Sequence, residues 1–339
     1  MPRPHRLLAL LTSACLVLVA PAISAGAVAA QPAAAASASS TLPTSALATA
    51  PSSSTLQRQL RRALARGDGG GRVWRLATPR LEDLNDDGWE PAFDCGATAQ
   101  ETTHEICMFG DPDGARDVVV LGSSHATMWM PGFEPAARAG GTRLFGLFKY
   151  GCSPIVQDQW LADRPWPECT EWRRWALDRV AELRPDAVVV ATHHYTLIEG
   201  ADGQLIRRDT RRYDRAYATG LRKLGRRLAG LTDQVTIMGD NLARPAAVRP
   251  LRCLEQHDMR MGPCEASLDR RTRRMNARDA RAAAAVGARF VDPNRFVCID
   301  RRCPVAAARH FVYRDFSHVS STWAEHVGPV LSRAVRLTG

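Results

Sequence analysis

The sequence lacks several features that would assign it to common protein classes. Beyond its N-terminus, no segment approaches the roughly 20 consecutive apolar residues that cross a bilayer. No two cysteines have the CxxC spacing of a zinc knuckle, which counts against a structural zinc site. No internal repeat occurs, so a repeat architecture is excluded. Few aromatic residues lie among the scattered arginines, so we do not expect the protein to bind nucleic acid.

The N-terminus has the pattern of a secretory signal. Arg3, His5 and Arg6 precede an apolar run over residues 7–20, and small residues follow at 27–29. This pattern predicts a signal peptide over residues 1–30, cleaved near Ala29 or Ala30, and therefore a secreted or extracytoplasmic protein. An uncleaved membrane anchor is the alternative. Cys15 lies inside the apolar run and would leave with it.

The remaining cysteines are even in number and fall into four close pairs along the chain. In an exported protein such a pattern indicates disulfide bonds. Eight cysteines can pair in many ways, and we expect pairing in sequence order. They are Cys95, Cys107, Cys152, Cys169, Cys253, Cys264, Cys298 and Cys303.

The formal net charge is +10, and removal of the two signal arginines would lower it to +8. A basic exported protein can associate with anionic cell-wall polymers or lipid headgroups. Wall association is therefore one expectation for its localisation. A solvated basic surface is the simpler interpretation.

The chain divides into a low-complexity segment and a folded domain. Residues 31–55 are nearly all Ala, Ser, Thr and Pro, a composition typical of a linker. Residues 56–66 form a short basic amphipathic helix pattern, and GDGGG follows it. We therefore assign residues 31–72 to a linker with a short basic helix, and residues 73–339 to the folded domain.

Apolar strand patterns alternate with helix patterns through that domain. Such alternation predicts an α/β fold, a three-layer α/β/α sandwich with a mostly parallel central sheet. Strands are expected over 117–122, 142–148, 186–192, 234–240 and 288–294, and helices over 124–139, 169–183, 210–230, 266–286 and 320–337. Ligands on such sheets bind beyond the carboxyl ends of the strands.

Two polar motifs lie at such positions. Gly122-Ser123-Ser124-His125 follows the first strong strand and opens a helix, where a serine hydroxyl can project from a turn. Capping of the helix is the structural alternative. Near the C-terminus, Asp315 and His318 lie three residues apart before the last helix. A histidine can take the proton of a serine, and a carboxylate can orient the histidine.

With these two blocks, residues 80–335 resemble the SGNH hydrolase superfamily. They are most similar to the extracytoplasmic SGNH domain fused to family 3 membrane acyltransferases, which carries G-D-S-H-A and D-x-x-H-L-S motifs. The resemblance implies an SGNH (flavodoxin-like) catalytic domain. It implies Ser124 as the nucleophile, His318 as the base and Asp315 as its orienting partner, with the Ser124 N–H as one oxyanion donor. No cofactor is implied.

The sequence departs from the family pattern at two points. Ser123 replaces the aspartate before the nucleophile. The asparagine that supplies a second oxyanion donor has no clear match, since that position reads Thr192-His193-His194. One of the two histidines is a candidate replacement, and a solvent-exposed strand-end pair is the alternative. A metal site is not expected, because consecutive side chains on an extended chain point to opposite faces.

The remaining candidates have weaker support. Gly151 is a candidate glycine donor, and Gly122 and His125 belong to the motif around the nucleophile. Asp240 could touch substrate, although a structural cap fits it better. Five tryptophans could form a sugar-binding wall, but helical spacing places two of them in the core. They are Trp129, Trp160, Trp166, Trp172 and Trp175.

The predicted function is acyl transfer at an oxygen ester. The resemblance implies a short acyl group, acetyl above all, on a cell-surface or secreted glycan, with water or a sugar hydroxyl as acceptor. A non-catalytic glycan-binding domain is one alternative. A partner of a separate membrane acyltransferase is another. We expect a monomer.

Overall fold

The computed structural model describes residues 51–339 and has one seven-stranded sheet at its centre. The predicted signal peptide and residues 31–50 of the predicted linker lie outside the described residues. The strands are β1 Gly96–Ala97, β2 Cys107–Gly110, β3 Arg116–Gly122, β4 Thr142–Lys149, β5 Gln159–Leu161, β6 Arg164–Pro165, β7 Ala187–Ala191, β8 Leu197–Glu199, β9 Leu205–Ile206, β10 Gln234–Met238, β11 Ala266–Ser267, β12 Arg289–Val291, β13 Arg302–Cys303, β14 Ala306–Ala307 and β15 His310–Phe311.

The central sheet has the order β1-β4-β3-β7-β10-β12, and all of these neighbours are parallel. Strand β2 pairs antiparallel with β4 at one edge. Gly122 at the end of β3 is in register with Ala191 of β7, which is in register with Met238 of β10. The residues that follow these three strands therefore meet at one edge of the sheet.

Helices cover both faces of the sheet. They are α1 Ser53–Asp68, α2 Ala92–Cys95, α3 Ser124–Thr127, α4 Met130–Ala139, α5 Pro167–Leu183, α6 Arg211–Ala229, α7 Pro250–Gln256, α8 Arg270–Ala284 and α9 Ser321–Val335. Val118 and Val120 of β3 pack into the core that contains α4 and α9, whereas Val119 packs into the core of α5, α6 and α8. Burial of alternate residues on opposite faces explains the unbroken apolar strands. The predicted three-layer α/β fold is confirmed.

The first predicted helix, over residues 124–139, is two helices in the structure. Helix α3 ends at Thr127, and α4 begins at Met130 with Pro131 in its first turn. Proline lacks the N–H that a continuous helix would need there, but it is well suited to a helix start. Ser124 is therefore carried by a four-residue helix of its own.

Helix α1 is part of the packed domain. Ser52 caps it, and Leu56, Leu60 and Leu64 are buried. The sequence-based boundary at residue 73 thus lies within the packed unit. The glycines of GDGGG end the helix, as their position after the helix pattern indicates, and the Gly69 N–H donates to the carbonyl of Ala65.

Four disulfides join the eight cysteines in sequence order: Cys95–Cys107, Cys152–Cys169, Cys253–Cys264 and Cys298–Cys303. Trp172 is fully buried and Trp175 packs partly buried against the same core, as their helical spacing predicts. Trp129 and Trp166 are buried as well, so these side chains do not form an exposed sugar-binding wall. Among residues 51–339, no helix is both long and apolar enough to cross a membrane.

Candidate active site

Ser124 occupies the first position of α3, directly beyond β3. Gly122 permits this close turn, because a Cβ there would lie 2.6 Å from the carbonyl oxygen of Ala191 in β7. Ser123 caps the helix by accepting a hydrogen bond from the N–H of His125. The Ser124 N–H is the first amide of the helix and has no acceptor within it. It is therefore available to a negatively charged oxygen beside the Ser124 hydroxyl.

His318 and Asp315 reach Ser124 from the loop before α9. Nε2 of His318 lies 3.0 Å from Oγ of Ser124, and Nδ1 of His318 lies 2.7 Å from Oδ2 of Asp315. The other carboxylate oxygen of Asp315 accepts the backbone N–H groups of Ser317 and His318, each at 2.7 Å. This loop conformation holds the carboxylate and the imidazole in line with the serine.

The electrostatics of this loop suit a neutral histidine beside an ionised carboxylate. Burial, assisted by the neighbouring charges of His125 and Arg314, lowers the pKa of His318 against the raising effect of Asp315. Burial alone would raise the pKa of Asp315, but its bonds to the His318 ring and to two backbone N–H groups lower the pKa to about 2. The carboxylate accepts from Nδ1, so Nε2 of a neutral His318 faces Ser124 as an acceptor.

A second group of histidines lies beneath the serine turn. Nδ1 of His125 is 2.7 Å from Oδ1 of Asp240, and Oδ2 of Asp240 accepts the backbone N–H of His194 at 2.8 Å. Nδ1 of His193 is 3.0 Å from Oγ of Ser123. The ring centres of His125 and His318 are 5.2 Å apart. The site therefore contains two serine–histidine contacts, of which only that of His318 has a carboxylate on the opposite ring nitrogen.

The two strand-end histidines are buried, which excludes the solvent-exposed alternative. Burial and the charge of His125 lower the pKa of His193 to about 3, so its ring is neutral. Burial disfavours a charged His194, but the Asp279 carboxylate 2.7 Å from its Nε2 raises its pKa. His194 therefore faces α8 and its Nε2 is committed there.

Two further predicted residues, Asp240 and Gly151, are not placed to contact substrate beside Ser124. Asp240 is buried and binds His125 and His194, so it is a structural residue and not a surface contact for substrate. Gly151 is exposed with φ of +73°, and a Cβ there would meet only the Trp166 ring within 4 Å. No backbone hydrogen bond joins Gly151 to the serine turn within the described residues.

A cavity of 260 Å³ opens beside Ser124 and His318. Sequence reasoning missed most of its walls, because they come from loops far apart in the chain. Ser124 and His318 are the lining residues that the sequence predicted. The further lining residues are Gly88, Trp89, Ala92, Thr127, Met128, Tyr150, Arg314, Val319 and Ser321. Within the described part of the chain, no group of three or more His, Cys, Asp or Glu side chains is arranged to hold a metal ion.

Residues 94–333 match the family model described as the SGNH domain fused to AT3 domains. The chain belongs to this family. The match confirms the resemblance inferred from the serine and histidine motifs, and it shows that residues 94–333 form an SGNH domain of the kind found fused to AT3 domains. No curated protein matches the sequence.

Several solved structures are similar to this chain. The periplasmic domain of the lipopolysaccharide acetyltransferase of Salmonella ser. Paratyphi A superposes with a TM-score of 0.50 at 10% identity, covering 66% of this chain and 85% of that one. Acetylxylan esterase Axe2 of Geobacillus stearothermophilus superposes with a TM-score of 0.38 at 13% identity, covering 66% of this chain and 94% of that one. A GDSL-like lipase of Bacteroides thetaiotaomicron gives 0.38 at 13% identity, with coverage of 65% and 88%.

Proposed function

We propose that the protein is an extracytoplasmic serine esterase or O-acyltransferase that acts on short acyl esters of glycans. One observation carries the proposal: contacts of 3.0 and 2.7 Å join the Ser124 hydroxyl to the His318 ring and that ring to the Asp315 carboxylate, and Ser124 and His318 line one cavity. A serine with its base, and a base with its orienting carboxylate, is the arrangement that acyl transfer requires.

The chemistry follows from these contacts. Ser124 Oγ attacks the acyl carbonyl while His318 Nε2 takes its proton, and the carbonyl oxygen becomes an oxyanion near the Ser124 N–H. The carbon–oxygen bond to the leaving alcohol then breaks, and His318 returns the proton to that alcohol. Water or a sugar hydroxyl next attacks the acyl-serine, losing its proton to His318. The ester bond to Ser124 breaks, and the proton returns to the serine. Asp315 stabilises the imidazolium formed in each half-reaction.

The Ser123–His193 contact is a weaker candidate for this role. Ser123 is 1% exposed, and its hydroxyl already accepts the N–H of His125 as the helix cap. His193 has no carboxylate partner among the described residues, and neither residue lines the cavity. We therefore assign Ser123 and His193 to support of the turn that carries Ser124.

Other features support the location and the substrate class. Four disulfides favour an oxidising compartment outside the cytoplasm. The related fold in an acetyltransferase acting on lipopolysaccharide supports an acylated glycan as substrate. The description of the family as fused to AT3 domains supports a membrane acyltransferase as a partner, which co-purification from membranes would test.

Hydrolysis of 4-nitrophenyl acetate tests the proposal. We expect activity in the disulfide-bonded protein, and its loss in Ser124→Ala by a factor of at least about 10³. Ser267→Ala, at an exposed position, is the control and should keep full activity, whereas Ser123→Ala should lose far less activity than Ser124→Ala. Equal activity in the wild type and Ser124→Ala would refute the assignment. Inert but folded wild-type protein would favour a non-catalytic glycan-binding domain.

A further inference from the structure

Arg314 brings a positive charge into the same cavity as Ser124 and His318. Its side chain is 25% exposed and lines the cavity wall. The sequence motif gives it no role, since Arg314 only precedes the aspartate of the histidine loop.

The guanidinium of Arg314 is weakly engaged by the protein. Its one hydrogen bond within the described chain runs from Nη1 to the carbonyl oxygen of Asn85 at 3.5 Å. Its Nε lies 3.9 Å from Oδ2 of Asp315, which is close enough for an ion pair but beyond hydrogen-bond distance. Asp315 is already committed to the His318 ring and two backbone N–H groups. Most of the N–H donors of Arg314 therefore remain available to a ligand.

The neighbouring loop makes room for this guanidinium. A Cβ on Gly88 would lie 2.6 Å from Nη1 of Arg314, so a larger residue would displace the charged group. Among the described residues, no ion pair within 4 Å joins Arg314 to the nearby carboxylate of Asp87, which accepts hydrogen bonds from the hydroxyl and the N–H of Thr322 at 2.9 and 3.3 Å. The charge of Arg314 thus stays at the cavity wall.

The rest of the cavity has a different character. Trp89, Ala92, Met128 and Val319 give it an apolar wall, next to the nucleophile and its base. Trp89 is held in place by ring contacts with Phe109 and Phe148. An apolar wall suits the acyl group. A planar cation with free donors suits a carboxylate or phosphate, which it can bind through two parallel hydrogen bonds.

We propose that Arg314 binds an anionic group of the ester substrate, a carboxylate or phosphate close to the scissile bond, so that the preferred substrates are acyl esters of acidic glycans. This inference rests on the proposed esterase function. It adds the requirement that the substrate be negatively charged near the scissile bond, which esterase activity alone does not demand.

Matched pairs of small esters test it. We would compare 4-acetoxybenzoate, and its 3-isomer, with the corresponding neutral methyl esters, and include 4-acetoxyphenyl phosphate to separate carboxylate from phosphate recognition. The readout is the ratio of kcat/KM for the anionic ester to that for its neutral counterpart. A charge-assisted hydrogen bond predicts a ratio of roughly tenfold or more in the wild type.

The ratio should fall to about one in Arg314→Gln and be partly retained in Arg314→Lys. Arg226→Gln, which removes an exposed arginine of α6, should leave the ratio unchanged. A wild-type ratio of one or less would overturn the proposal. So would a ratio that Arg314→Gln leaves intact while both esters slow equally.

Binding separates a failure of this inference from a failure of the proposed function. If the wild type hydrolyses neither ester, calorimetric titration of the intact protein with 4-hydroxybenzoate and methyl 4-hydroxybenzoate still reports on Arg314. Binding of the anion alone, abolished in Arg314→Gln, would support an anion site without esterase activity. Equal binding of the two compounds, or no binding of either, would overturn the anion site.

Discussion

The carboxylate of Asp240 accepts a hydrogen bond from Nδ1 of His125 at 2.7 Å, which ties the residue after the candidate nucleophile to the end of β10. The second oxygen of the same carboxylate holds the backbone of His194 beyond β7. Burial opposes ionisation of Asp240, but these two partners lower its pKa to about 2. One ionised side chain therefore fixes three neighbouring strand ends beneath the site.

Replacement of Asp240 by Asn should destabilise the protein. Asparagine offers one acceptor oxygen and no charge, so a charge-assisted bond to His125 or to the His194 N–H is lost in a buried place. We expect the free energy of unfolding to fall by about 1.5–3 kcal/mol, measured by urea denaturation. Asp202→Asn, which breaks the exposed ion pair with Arg212, should cost less than about 1 kcal/mol. Equal effects of the two substitutions would contradict the assigned role of Asp240.

The pH dependence of ester hydrolysis should follow the lowered pKa of His318. The base must be neutral, and a lowered pKa means that it loses its proton at a lower pH than an ordinary histidine. We therefore expect kcat/KM to rise through a midpoint below about pH 6.5 and then to level off. His125→Gln should move the midpoint upward, because the charge of His125 helps to lower the pKa of His318. A midpoint above that of an ordinary histidine would show that the Asp315 carboxylate dominates.

The disulfides should differ in their contributions to stability. Cysteines 17 residues apart in Cys152–Cys169 close a longer loop than the five-residue separation of Cys298–Cys303. The loop-closure estimate gives about 3 kcal/mol for the first and about 2 kcal/mol for the second. Double Cys→Ser variants of each pair, compared by urea denaturation, should show this order. The reverse order would mean that packing around the short loop outweighs chain entropy.

Helix α1 should be required for full stability of the domain. Leu60 is fully buried, so Leu60→Ala should lower the free energy of unfolding by about 2–5 kcal/mol. Leu76 is 72% exposed, and Leu76→Ala should change it by no more than about 0.5 kcal/mol. If Leu60→Ala were also silent, the helix would not be part of the cooperative unit. The polypeptide expressed for assays should accordingly begin before Ser52, which caps this helix.

The fold was predictable because its buried strands are apolar runs that can be recognised in the sequence. An unbroken apolar segment followed by a helix pattern, as in Val118–Leu121 and Ala187–Ala191, has few other solutions than a covered parallel strand. Both blocks of the candidate site were also visible, since each is a local motif at the end of an element. The packing of helix α1 onto the domain was not predicted, because its short basic pattern lies between a low-complexity segment and a run of glycines.

The sequence could not reveal contacts between residues that only the folded sheet brings together. Asp279 lies within the Arg-rich α8, where nothing in the pattern marks it as a partner of His194. Arg314 is one arginine among many until its loop is placed against Gly88 and the cavity. Such contacts arise only when distant elements are aligned by strand register.

The candidate nucleophile and its base are separated by 194 positions in the chain, and the base comes from the loop that precedes the last helix. A chain being synthesised from its N-terminus exposes Ser124 long before His318 exists. A nascent or truncated polypeptide that stops at β12 would carry a serine with no base beside it. The proposed acyl chemistry therefore requires a chain that has been synthesised and folded almost to its last helix.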